Sequence, residues 1–235
     1  MRSKSKHGAM LRMHLSLAGK EVLDVGCGDG SLVRLMTRQG AQVTGLEPSP
    51  GQLARARAAE PEGGERYLQG GGEALPLPDG SLDIVVFFNS LHHIPVAVQR
   101  PALLEAHRVL RPGGLVYILE PIAEGKFFQL MQPIEDETEV RAKALAAVHA
   151  VVGDAYYAQD LEQEYLAPLR YKAFEDFIAG ILAVDQARQS AVDGAGASLR
   201  ESFEALAEQR DGEFLFETPA RLNLLRRLNG SKATE

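Results

Sequence analysis

The sequence predicts an α/β fold, with a doubly wound, mostly parallel sheet flanked by helices and closed by an antiparallel strand. Three observations predict it. Strand-like and helix-like segments alternate over the first two-thirds of the chain, and a glycine cluster sits where the first strand hands over to a helix. Residues 82–88 (LDIVVFF) form an unbroken apolar run of the kind that suits a central strand buried on both faces. Such alternation implies right-handed crossovers with helices on both sides of the sheet.

The elements follow in order. Residues 21–25 are a short strand rich in β-branched residues. Residues 31–39 place Leu32, Leu35 and Met36 on one helical face, and Gly40 stops that helix. Residues 42–46 are the second strand. Ser49, Pro50 and Gln52 then fit an N-cap, a first-turn proline and a capping-box partner for a helix reaching about Glu60. Residues 66–69 are a weak third strand, and 82–88 the fourth. Residues 101–110 read as a helix ended by Arg111-Pro112-Gly113-Gly114, and 115–119 as the fifth strand. Beyond Pro121 the pattern changes. Residues 126–152 are largely helical, with Ala144, Leu145, Val148 and Val152 on the apolar face. Residues 164–171 are a strand, and 173–185 and 198–209 are helices with Gly194 and Gly196 in a loop between them. Asp211-Gly212 leads into a last strand at 213–216.

This organises the 235 residues as a single domain: an arm and helix over 1–20, a core over 20–121, a helical insertion after the fifth strand over 122–212, and the closing strand and tail over 213–235. Enough apolar residues are present to form a substantial core without a metal or disulfide staple. The lone cysteine, Cys27, excludes an intramolecular disulfide, so a reducing, cytoplasmic setting is the expectation.

The formal net charge of −7 argues against a nucleic-acid surface, which relies on clustered Lys and Arg. Arg2, Lys4, Lys6, Arg12 and Lys20 make the first 20 residues basic, leaving about −12 on the rest. Arg12 and His14 interrupt the apolar residues there too often for a signal segment, and a solvated arm leading into a helix is expected. No apolar stretch is long enough to span a bilayer. The sequence carries no signal for an oligomeric state.

The most informative stretch is residues 23–30, LDVGCGDG. Glycines between strand and helix allow a tight turn and close approach of a ligand, and helix N-terminal amides there suit an anionic group. The same turn also serves merely to pack a helix on a strand. Gly26, Gly28 and Gly30 make G-x-G-x-G, whereas a dinucleotide fingerprint has its third glycine one place later, where this chain has Ser31. Glu47 falls at the end of the second strand, where a carboxylate is placed either to accept both hydroxyls of a ribose or simply to cap a turn.

Five motifs in register carry a resemblance: LDVGCGDG (23–30), GLEPSP (45–50), GGGEALPLPDGSLDIVV (70–86), SLHHI (90–94) and RVLRPGGLVYILEP (108–121). In these the chain resembles class I S-adenosylmethionine-dependent methyltransferases, particularly the ubiquinone and menaquinone biosynthesis branch. The resemblance covers about residues 20–121 and fades over 122–212. It implies a Rossmann-like sheet that holds S-adenosylmethionine over its carboxyl edge and a small-molecule acceptor on the divergent side. Gly26, Cys27 and Gly28 are implied to run beneath the methionine part, with Gly30 completing the loop and Asp24 fixing it. Glu47 is implied to hold the ribose, Pro48 to lie beside the adenine, Gly71, Gly72 and Glu73 to meet the adenine edge, and Asn89 to offer backbone near the methionine amino group. One position departs from the pattern: similar proteins usually carry an aspartate where this chain has Gly71. A missing charged hydrogen bond there costs about 1.5–3 kcal/mol if nothing replaces it.

A general base is needed only when the acceptor must lose a proton. His92 and His93 follow the fourth strand and are the candidates, with packing or pocket-shaping as the alternative for each. His107 reads as structural, and His149 reaches a site only if its helix folds over it. Tyr156, Tyr157 and Tyr165 are pocket candidates that serve equally as packing, Phe127-Phe128 is a candidate lid, and the acids of 135–139 read as a solvated helix start. No Cys or His cluster has metal-ligand spacing. A non-catalytic protein that binds S-adenosylmethionine or its demethylated product, and a nicotinamide-dependent oxidoreductase, are the competing readings. Ser31 speaks against the second.

Overall fold

The computed structural model describes residues 4–229, with side chains from residue 6 onward. Arg2 of the basic arm and residues 230–235 of the tail lie outside the described residues. The strands are β1 (Glu21–Val25), β2 (Gln42–Glu47), β3 (Arg66–Gln69), β4 (Leu82–Phe88), β5 (Leu110–Pro121), β6 (Tyr157–Tyr171), β7 (Glu208–Arg210) and β8 (Glu213–Arg227). The helices are α1 (Lys4–His14), α2 (Ser31–Arg38), α3 (Pro50–Ala58), α4 (Val96–Val109), α5 (Gly125–Met131), α6 (Thr138–Gly153), α7 (Phe174–Val184) and α8 (Gln189–Leu206). The strands form one sheet in the order β3-β2-β1-β4-β5-β8-β6, with β7 paired to β8. It is the mostly parallel sheet with an antiparallel closing strand expected from the sequence.

The chain divides into two compact units. The first comprises Leu15–Glu120, Val140–Gln163 and 221–229. Here β1 to β5 pair in parallel, with Val25 opposite Leu46 and Phe87, Glu47 opposite Gln69, and Phe88 opposite Leu119. This register brings the ends of five strands to one edge, where ligands of open α/β sheets collect. β4 packs Ile84, Val85, Val86 and Phe87 out of water, as an apolar run without alternation requires. Ala102, Leu103, Ala106 and Val109 of α4 and Ala144, Val148 and Val151 of α6 complete this core. Leu145 and Val152 of the expected α6 face are only half-buried. In α2 the buried pair is Val33 and Met36, with Leu32 and Leu35 half-buried.

The second unit comprises residues 4–14, Pro121–Glu139 and Glu164–Ala220. Its core is aromatic: Phe203 lies within 6.0 Å, centroid to centroid, of Tyr171, Phe174, Phe177, Phe214 and Phe216. Asp211 and Gly212 both have positive φ, the signature of a two-residue hairpin turn, and join β7 to β8. Within the basic start, expected as an arm leading into a helix, α1 buries Met10 and Leu11. Glu137 of the expected solvated acids is buried, and Glu135 pairs with Arg188.

Several element boundaries differ from expectation for identifiable reasons. α4 begins at Val96, so Pro101 lies inside it and not at its start. β6 begins at Tyr157, seven residues early, because its polar first half belongs to a strand at the sheet's edge and lacks an apolar run. α8 is continuous from Gln189 except at Gly196, whose φ of 51° and ψ of −130° break the helix where a loop was expected.

Candidate functional site

The turn after β1 is fastened from both sides. The N–H groups of Gly26 and Cys27 donate to the Leu46 carbonyl at 2.8 and 3.0 Å. Ser90 donates its hydroxyl to the Val25 carbonyl at 2.6 Å, and its Cβ lies 2.6 Å from where a side chain on Gly26 would begin. Gly26 therefore cannot carry a side chain without moving the loop after β4. Gly28 also has a positive φ, 54°, but a Cβ there meets nothing within 4 Å. Its backbone faces open space. Gly30, in the left-handed region, opens α2.

Glu47 organises this turn. The Gly28 N–H donates to its Oε2 and the Ser49 N–H to its Oε1, each at 2.9 Å. Ser49 in turn caps α3 by accepting from the Gln52 N–H. Glu47 is buried, yet each of its oxygens has a second lone pair beyond the backbone bond. Asp24 has a different fate. It is 1% exposed, and its Oδ1 is buried with no hydrogen-bond partner. Burial first, and the Glu47 charge second, push its carboxyl up to about 7. Burial, with the charges of Asp24, Glu47 and Asp29, pushes the Cys27 thiol far up, so it remains protonated and unreactive.

At the end of β3, Gly72 packs against Val25 and Ile94, and Gly71 is half-buried. A Cβ on Gly71 would meet the Glu73 carboxylate, with Oε1 at 2.5 Å and Cδ at 2.7 Å. The Glu73 carboxylate thus lies against the Gly71 backbone, where an aspartate side chain would begin. Pro48 and Asn89 are exposed at the same edge, and Asn89 adopts a positive φ with its N–H on the Leu119 carbonyl at 2.7 Å.

The loop after β4 is held by Glu120, a residue that sequence reasoning left unassigned. Its Oε1 accepts the N–H groups of Ser90 and Leu91 at 3.1 and 3.0 Å, and its Oε2 accepts the His92 N–H at 3.3 Å and pairs with His92 Nδ1. His92 is buried, whereas His93 is exposed and lies against it with ring centroids 4.0 Å apart. A carboxylate on Nδ1 fixes the ring's orientation and tautomer, the arrangement of a positioned general base. The two histidines are not equivalent: His92 is buried with Glu120 on its Nδ1, whereas His93 is exposed. The signal in the sequence was an acid at the end of β5, the strand next to the one that the histidines follow.

The remaining candidates have structural placements. His107 contacts the Leu228 carbonyl at 3.3 Å and meets Tyr156 and Tyr157 edge to face. Tyr157 is buried and donates to the Leu103 carbonyl at 2.7 Å, so it is a core residue. His149 is exposed and paired with Glu162. Phe127, half of the candidate lid pair, belongs to the aromatic core of the second unit and is stacked on Tyr171. Tyr165 hydrogen-bonds His7 at 2.7 Å, and burial lowers His7 to about 4, leaving a neutral imidazole.

Residues 23–118 match the protein family described as "Methyltransferase domain". The malonyl-[acyl-carrier protein] O-methyltransferase of Serratia marcescens is 36% identical over 136 residues, 57% of this chain and 51% of that protein. The ubiquinone biosynthesis O-methyltransferase of Nitrosococcus oceani is 40% identical over 111 residues, 46% of each. The chain spans about half the length of the curated relatives it matches. Among solved structures, an S-adenosylmethionine-dependent methyltransferase from Mesorhizobium loti superposes with a TM-score of 0.58 at 19% identity, covering 96% of this chain and 98% of that one. The [4+2]-cyclase SpnF superposes at 0.64 and 20% identity, covering 96% and 81%. These likenesses show the fold, and the sequence match to the methyltransferase domain family is carried by residues 23–118.

Proposed function

We propose that the chain transfers a methyl group from S-adenosylmethionine to a hydroxyl of a small organic acceptor, working in the cytoplasm. The observation that carries this is the buried His92 with its Nδ1 on Glu120, because a general base is needed when the acceptor is a hydroxyl and is dispensable for an amine already nucleophilic. The fold alone does not select the chemistry, as its likeness to a cyclase illustrates.

The residues present fit the cofactor. Asp24 has an unpartnered buried oxygen, the Gly28 backbone faces open space, and Glu47 has lone pairs in reserve for ribose hydroxyls. Pro48 would flank the adenine, Gly72 and Glu73 would meet its edge, and Asn89 would offer backbone to the methionine end. When bound, the cofactor supplies a methyl group made electrophilic by a sulfonium. The protein's share is to align acceptor and donor, worth about 7–11 kcal/mol in favourable cases, and to take the hydroxyl proton on His92 Nε2 while Glu120 stabilises the resulting imidazolium.

Transfer of labelled methyl to a panel of phenols, aliphatic alcohols and amines tests it. Methylation of a hydroxyl acceptor, reduced about 10²–10⁴-fold by His92→Ala with unchanged cofactor affinity, is expected. Methylation only of amines, indifferent to His92, would remove the hydroxyl assignment.

A further inference from the structure

We infer that Asp24 distinguishes the positively charged methyl donor from its demethylated product, giving up its own proton when the donor's extra charge arrives. The inference rests on the proposed cofactor. S-adenosylmethionine carries one positive charge more than S-adenosylhomocysteine, and the turn after β1 must hold the first and release the second.

The two carboxylates of this turn are differently prepared. Glu47 has both oxygens bound by backbone N–H groups, so its negative charge is compensated before any ligand arrives. Asp24 is buried at the end of β1, and its Oδ1 has no partner. An ionised carboxylate in that condition is costly, which is why its proton is retained to near neutral pH. The charged groups around it do not relieve this. Glu47 from β2 is negative, and on the glycine loop Cys27 is a protonated thiol and Asp29 is another acid. On the β4 side, Asp24 lies opposite Val86, and the nearby Ser90 hydroxyl is already donated to Val25. The charge that acts on Asp24 is that of another acid, Glu47. A cationic ligand would supply what is missing. It favours the ionised form, so Asp24 releases a proton to solvent as the donor binds and recovers one once the product has lost the sulfonium charge.

Calorimetric titration of the full chain with each ligand, in two buffers of different ionisation enthalpy, reads this directly. Between about pH 5.5 and about pH 7.5, affinity for S-adenosylmethionine should rise on the order of tenfold with proton release, while that for S-adenosylhomocysteine changes about threefold or less. Asp24→Asn should abolish the release and narrow the preference between the ligands. Equal proton release by both ligands, or release that persists in Asp24→Asn, would overturn the inference while leaving the cofactor in place. Should that variant fail to fold, the comparison of the two ligands on the unaltered chain still decides. Failure of both ligands to bind the unaltered chain would overturn the cofactor reading and this inference together.

Discussion

Asp24 and Glu47 face the same turn in different surroundings: backbone N–H groups hold both oxygens of Glu47, whereas Asp24 is buried with its Oδ1 unpartnered and beside the Glu47 charge. For Asp24 the consequence reaches stability. Its carboxyl is raised to about 7 in the folded chain, above the ordinary aspartate value. The unfolded chain therefore loses this proton first, and stability falls as pH rises from about 4 to about 7, the full penalty applying above that. Asp24→Asn should melt higher than the unaltered protein at about pH 8, with the difference shrinking towards about pH 4; thermal melts across that range check it, and a constant difference would refute it. For Glu120, the Gln variant should leave cofactor affinity within about threefold and lower the methyl-transfer rate at least about tenfold, because an amide stabilises an imidazolium poorly. Equal rates would show that Glu120 serves only to hold the loop. The glycines and Glu47 were legible because strand, turn and acid are close in sequence. Glu120 was not, since its pairing with a histidine 28 residues away depends on the β4–β5 register.

Elements were legible where one physical rule dominates. The apolar run of β4 was read to the residue, and the Ser49-Pro50 start of α3 was read from its cap. β6 was half missed because a polar edge strand resembles a loop, and α4 was started late because Pro101 looked like a first-turn proline. Tertiary fastening is also invisible in sequence. Arg108 of α4 donates to the carbonyls of Leu75 and Leu77 and pairs with Asp79 and Glu105, and Glu105 also accepts the Leu75 N–H. One guanidinium thus pins the segment between β3 and β4, using the fork geometry that lysine lacks. Arg108→Lys should destabilise the fold by about 1–3 kcal/mol in denaturant melts. A loss under about 0.3 kcal/mol would show that water replaces these bonds readily.

At the scale of the whole molecule, two units have separate cores, an aliphatic one around β1, β4 and α4 and an aromatic one around Phe203. Phe203→Ala should cost about 3–5 kcal/mol, and a denaturant melt checks it. The family match covers 23–118, inside the first unit, and that is where motif, spacing and physical constraint agree. In 122–212 the sequence revealed helices but not their use, because contacts built from long-range packing are encoded by no short motif. No helix among the described residues is long and apolar enough to cross a membrane. The central claim is that the edge above β1 and β2 holds S-adenosylmethionine. Because the chain has no tryptophan, the direct measurement is heat of binding, with S-adenosylmethionine, S-adenosylhomocysteine and NADH titrated in parallel into the purified protein. Saturable binding of both sulfur compounds and none of NADH is the predicted result. Silence from both, or binding of NADH alone, would contradict it.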